Sequence, residues 1–208
     1  GGDMHAEADH ADGDEHDETM TMEEDEHTHS HEGVDPHIWF NPMNVVAWAD
    51  TIEQTLVYAD PSNEVAYAAN ANQYRTELQQ LDEWISEQVA LVPAENRKLV
   101  TDHTAFNYFA QRYGFEQIGA VIPAYSTMAE PSAQELAALE DAITEHNVPA
   151  IFVGNTVNPD LAQRVAQDTG IELVMLYTGS LSEEDGDAPT YLDLMRYDTN
   201  AMVNALKE

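Results

Sequence analysis

From residue 42 onward the apolar positions follow two patterns, one with a period near 3.6 and one of short continuous runs. Pro42 stands where a helix can begin, and Val45, Trp48, Ile52 and Leu56 then recur three or four apart. This spacing predicts a helix that ends near Asp60-Pro61. A second, longer helix is predicted over residues 62–90, its stripe carried by Tyr67, Ala71, Tyr74, Leu78, Leu81 and Ile85. At 1.5 Å per residue it is roughly 43 Å long, enough to cross a domain or to run between two. Pro93 ends it.

Beyond that proline, short strands alternate with helices. Residues 98–101 form an apolar run that leads into Asp102-His103, and 104–113 read as a helix with Gly114 at its C-terminal cap. Residues 117–121 read as a strand. Ser132 and Glu135 make a capping box behind Pro131 and open a helix to about residue 145. A buried-type strand over 150–153, a helix over 159–169 stopped by Gly170, a strand over 172–177 and a helix over 191–206 complete the chain. This alternation predicts an α/β fold with a four-stranded parallel sheet and helices on both faces.

The 208 residues carry 40 Asp and Glu against 7 Lys and Arg, a formal charge of −33, which argues against nucleic acid or an anionic membrane surface as partner. There is no cysteine, so disulfides, thiolate zinc sites and thiol nucleophiles are excluded. No apolar stretch reaches the 18 or so residues that span a bilayer. The chain opens Gly1-Gly2-Asp3 without an initiator Met or a signal peptide, and is expected to be a fragment or processed product whose start lies upstream.

Charge and histidine are unevenly spread. Residues 1–34 hold 13 acids, no Lys or Arg, and six of the nine histidines: His5, His10, His16, His27, His29 and His31. Such a segment buries too little apolar surface to offset its ordering entropy and reads as a disordered loop. Any one of these rings suits a solvated linker, whereas six among carboxylates suit weak capture of a borderline divalent ion such as zinc. The other 174 residues keep 27 acids against 7 bases, a surface that fits a saline habitat or simple solubility.

Three histidines remain. His103 follows a strand end and precedes a helix, where open α/β sheets bind ligands. His37 lies in Asp35-Pro36-His37-Ile38-Trp39-Phe40-Asn41-Pro42, stiffened by two prolines. A lone histidine is more often structural than a ligand, and the rigid placement of these two singles them out. His146, at a helix end, reads as an ordinary cation facing the helix dipole.

The run 35–42 resembles the DPHxWxxP motif of the zinc/manganese ABC-transporter substrate-binding proteins. Similar to that family, in the same order, are residues 99–109 (Leu-Val-Thr-Asp-His-Thr-Ala-Phe-Asn-Tyr-Phe), Glu130-Pro131-Ser132-Ala133, and Ser180-Leu181-Ser182 with Thr190-Tyr191-Leu192. The acidic His-rich loop before the first motif resembles the zinc-importing branch. The resemblance covers residues 1–208 and implies a two-lobed solute-binding fold whose N-terminal lobe is missing. On it, residues 35–60 would end the N-terminal lobe, 61–92 would be a long rigid linker helix, and 93–208 would form the C-terminal α/β lobe.

The resemblance also implies roles. His37 and His103 would be metal ligands, with a further His from the N-terminal lobe. Manganese-selective members tend to carry a carboxylate where His103 stands, and an imidazole there favours Zn²⁺ over Mn²⁺. Many members supply an Asp where this chain has Gly179. Water would take that fourth position, with Asp185 or Asp187 as the other candidates. The implied protein is no enzyme but an extracytoplasmic monomer, periplasmic or lipid-anchored, that captures zinc and delivers it to an ABC permease. Two rivals stand beside it. A zinc hydrolase would show HExxH or a similar spacing, which this chain lacks. A secreted metal-buffering or adhesion protein of the same fold is hardly separable by sequence.

Overall fold

In the computed structural model, which describes residues 34–207, Asn41 begins the first helix by accepting the Met43 amide on its side chain at 3.0 Å. Pro42 takes the first helical position, where its missing N–H costs nothing. That helix, α1 (Pro42–Ala59), turns through Pro61–Asn63 into α2 (Glu64–Val89). At 1.5 Å per residue α2 is about 39 Å long. Four strand–helix steps follow: β1 (Lys98–His103), α3 (Asn107–Tyr113), β2 (Glu116–Ile122), α4 (Ala133–His146), β3 (Ala150–Gly154), α5 (Asp160–Thr169), β4 (Glu172–Leu176) and α6 (Tyr191–Leu206).

All strand pairs are parallel and the spatial order is β2-β1-β3-β4. The predicted sheet is therefore present with its four strands. The chain leaves β1 toward one edge of the sheet and returns to its other side with β3, so the strand order reverses between β1 and β3. That reversal opens a crevice at the carboxyl ends of the two strands, where ligands of such sheets bind.

The two faces of the sheet are packed separately. On one, Phe40, Leu81, Ile85, Phe106, Phe109, Phe152, Met195 and Leu206 join α2, α3 and α6 to the strands. On the other, Leu139, Ile143, Val165 and Ala166 of α4 and α5 cover Val100, Ile151 and Val153. β3 is buried along its whole length, as a strand covered on both faces must be. The described residues lie in one compact unit.

Two local expectations shift. The helix expected from residue 104 starts at Asn107, because β1 runs on to His103 and the Thr104 amide turns to the Ala124 carbonyl at 3.0 Å. The stripe of α2 is buried only in its second half, at Leu78, Leu81 and Ile85. Its first half faces α1 across an apolar groove of about 630 Å³ lined by Trp48, Ile52, Leu56, Tyr67, Ala71 and Tyr74. Ile52 there is 58% exposed, so the helical period does not by itself decide burial.

Candidate metal centre

His103 is the last residue of β1, at the point where the strand order reverses. Asp102 fixes it: Asp102 Oδ1 accepts the His103 amide at 2.8 Å and lies 2.9 Å from His103 Nδ1. The other oxygen, Oδ2, accepts the amide of Gly154 at 3.0 Å, across the sheet at the end of β3. Both side chains are almost fully buried. Glycine is required at 154 for another reason: a Cβ there would collide with the Thr178 hydroxyl beyond β4.

His37 stands before a 3₁₀ turn, Ile38–Phe40, that leads into α1. Asp35 treats it as Asp102 treats His103. Asp35 Oδ1 accepts the His37 amide at 2.9 Å and lies 2.9 Å from Nδ1. Its Oδ2 accepts from Asn107 Nδ2 at 3.0 Å. The turn is held by Asn44 Nδ2 donating to the Ile38 carbonyl at 2.9 Å, and by the Phe40 ring, 4.2 Å from that of Phe106. Trp39 meets the imidazole edge-on at 5.3 Å.

The two rings converge, with Nε2 of His37 3.3 Å from Nε2 of His103. An ionised carboxylate only accepts hydrogen bonds, so beside one an imidazole holds its proton on Nδ1, and a ring in that neutral form presents a bare Nε2 lone pair. Two lone pairs facing one another repel unless a proton or a cation lies between them. Two nitrogens each about 2.0–2.1 Å from a tetrahedral zinc stand roughly 3.3–3.4 Å apart, which the observed separation fits. A carboxylate behind a metal-binding imidazole orients the ring and raises its basicity. Burial lowers the pKa of His37, the hydrogen bond to Asp35 opposes this, and the neighbouring His103 lowers it further.

The rings open onto a cleft of about 350 Å³ whose far wall includes Tyr125, Ser126, Thr127, Thr156, Thr178 and Gly179. That wall offers hydroxyls and backbone but no carboxylate. Gly179 does reach the cleft, and a Cβ on it would lie 3.1 Å from Thr156 Oγ1, so even a small side chain there would press on Thr156. Asp185 and Asp187 are exposed and do not line the cleft. Among the described residues no group of three or more His, Asp or Glu side chains is placed to hold an ion. His146 sits in the last turn of α4, its carbonyl accepting from Lys98 Nζ at 2.8 Å, apart from the cleft. His5, His10, His16, His27, His29 and His31 lie outside the described residues.

Sequence reasoning singled out both converging rings but gave no role to Asp35, Asp102 or Asn107. An Asp one or two residues before a candidate ligand was the signal for the first two. Nothing local marks Asn107, which lies 72 residues from its partner.

A family model described as ZnuA, zinc-uptake complex component A, periplasmic, matches residues 3–205. The chain is 34% identical over 178 residues to the manganese-binding lipoprotein MntA of Halalkalibacterium halodurans, covering 85% of this chain and 59% of that one. It is 32% identical over 175 residues to the high-affinity zinc uptake system protein ZnuA of Bacillus subtilis, covering 83% and 54%. The periplasmic zinc binding protein TroA from Treponema pallidum superposes with a TM-score of 0.78 over 84% of this chain and 64% of that one, at 24% identity, a likeness of fold. The chain thus spans a little over half the length of the curated relatives it matches.

Proposed function

The chain belongs to the ZnuA family of metal-binding, ABC-transporter substrate-binding proteins, which are solute carriers and not enzymes, and from that membership we propose that its cargo is Zn²⁺. The observation that carries this reading is the pair of Nε2 atoms 3.3 Å apart, each ring held from behind by its own aspartate. Two neutral nitrogens and a cleft wall without carboxylate form a donor set that suits zinc; manganese prefers hard, charged oxygen. His37 and His103 are the ligands from this chain, a further imidazole comes from an N-terminal lobe, and water stands at the Gly179 side.

In this reading the protein is an extracytoplasmic monomer, periplasmic or lipid-anchored, that captures zinc between two lobes and passes it to a membrane permease of the same importer. No helix among the described residues is long and apolar enough to cross a membrane. The long helix α2 is the rigid linker, so lobe movements are small. The histidines of residues 1–34 capture zinc weakly and add to the protein's supply of the ion.

A manganese cargo is the second reading, favoured by the 34% identity to a manganese-binding lipoprotein. Calorimetry on the full 208-residue chain separates the two. Zinc binds more tightly than manganese, and His37→Ala and His103→Ala each weaken zinc strongly. A chain that prefers manganese, or whose zinc binding depends on residues 1–34 and not on these two rings, overturns the zinc assignment.

A further inference from the structure

The residues that hold His37 in place come from the α/β layer. Asp35, whose side chain is about nine-tenths buried, receives a hydrogen bond from Asn107 Nδ2, at the first residue of α3. The Tyr108 hydroxyl lies 3.5 Å from the Asp35 carbonyl, and the Tyr191 hydroxyl of α6 donates to the Trp39 carbonyl at 2.8 Å. Phe40 packs on Phe106, the residue just before Asn107. The loop that carries His37 is thus clasped from α3 and α6, and Asn107 alone in that clasp reaches the carboxylate that touches the imidazole.

We propose that Asn107 is a positioning residue for the metal centre, acting through Asp35 to hold His37 as its Nδ1–H tautomer with Nε2 aimed at His103. This rests on the metal-binding reading above. A carboxylate with one oxygen on Nδ1 can rotate about its Cβ–Cγ bond unless its other oxygen is tied. On the His103 side, the amide of Gly154 ties Asp102. On the His37 side, where no strand passes, the Asn107 amide group takes that part. The same job is done once by backbone and once by a side chain. Outer partners of metal-bound imidazoles change affinity by about 10- to 100-fold when lost, and a group one bond further out belongs at the low end of that range.

The test uses the full chain, zinc chloride as ligand, and ¹⁵N-labelled histidines. In the metal-free wild type, long-range ¹H–¹⁵N spectra show both rings as Nδ1–H tautomers. Asn107→Ala removes the donor, and Asn107→Asp keeps the shape while putting an acceptor where the donor stood. Each variant weakens zinc about 10-fold and turns His37 into a tautomer mixture, while the His103 signals stay as in the wild type. The melting temperature falls by no more than about 3 °C. A metal-free wild type in which His37 is the Nε2–H tautomer overturns the proposal without recourse to any variant. So do Asn107 variants with wild-type affinity, or variants that lose zinc with the His37 tautomer unchanged. In these cases the metal reading stands as long as His37→Ala still loses zinc. Wild-type zinc affinity in His37→Ala overturns the metal reading and, with it, the role of Asn107.

Discussion

His103 hangs from the end of a central strand and His37 from a loop, yet both present Nε2 to the same point. On the His103 side the supporting Asp102 is built into the sheet: its far oxygen receives an amide of the neighbouring strand, and its surroundings are almost fully dry. On the His37 side Asp35 is reached, among the described residues, only by side chains and by its own loop. A sheet places a ligand by its backbone ladder, which many residue types can maintain. A loop places one by particular side chains, each of which can be lost singly. The strand-borne ring should therefore be coupled to global stability, and the loop-borne ring to affinity alone.

The strongest way to break this comparison is to remove the rings. His103→Ala and His37→Ala should each weaken zinc by roughly 100-fold or more, about 2.7 kcal/mol, in calorimetry on the full chain. Equal losses support one shared ion, while a loss confined to one ring breaks the pairing. The supporting carboxylates sharpen the contrast. Asp102→Ala and Asp35→Ala should both lower zinc affinity about 10- to 100-fold. Only Asp102→Ala should also lower unfolding stability by about 1–3 kcal/mol in urea melts, because it leaves the buried Gly154 amide unpaired.

Acid probes the loop side. Zinc needs the neutral ring, and the His37 pKa lies below the usual imidazole value, so this ring stays competent to a lower pH than a free histidine. Zinc affinity should fall on acidification by up to about tenfold per pH unit for each proton displaced, and the His37 ring, followed by its ¹⁵N shifts in the metal-free protein, should stay neutral to below the ordinary histidine range. A His37 ring that takes up its proton at or above the ordinary histidine value would show that burial does not depress it.

The smallest effect tests the strand side with a third carboxylate. Buried Asp198 of α6 accepts the Tyr177 amide just past β4 at 2.8 Å, as Asp102 accepts that of Gly154, but its Oδ2 has no partner among the described residues. Burial raises its pKa well above the usual carboxylate value. The folded state therefore favours the protonated acid, and the stability this group contributes is present at low pH and lost as pH rises through its folded pKa. Asp198→Asn should then stabilise the protein at neutral pH by about 1 kcal/mol and change little near pH 3. A destabilised Asn variant at pH 7 would show that the charged form is satisfied in the fold.

Strand–helix alternation after Pro93, the capping box at Ser132 and the glycine stops at Gly114 and Gly170 were legible because each depends on neighbours a few residues apart. The two motif histidines were legible for the same reason. The reversal of strand order between β1 and β3 was not, since period and caps say nothing of which strand pairs with which. Nor was the exposed groove between α1 and α2, because an apolar stripe states that a face seeks cover and not what covers it.

By itself the sequence determined the elements of the sheet layer, the absence of sulfur ligands and the two rings worth weighing. It did so through local rules of spacing, capping and donor chemistry. Only the tertiary structure decided that the two Nε2 atoms meet at 3.3 Å, that Asp102 is tied to Gly154 and that Asp35 is tied to Asn107. Those contacts join residues 66, 52 and 72 positions apart, and closing such loops depends on the packing of the whole sheet, which no local pattern encodes.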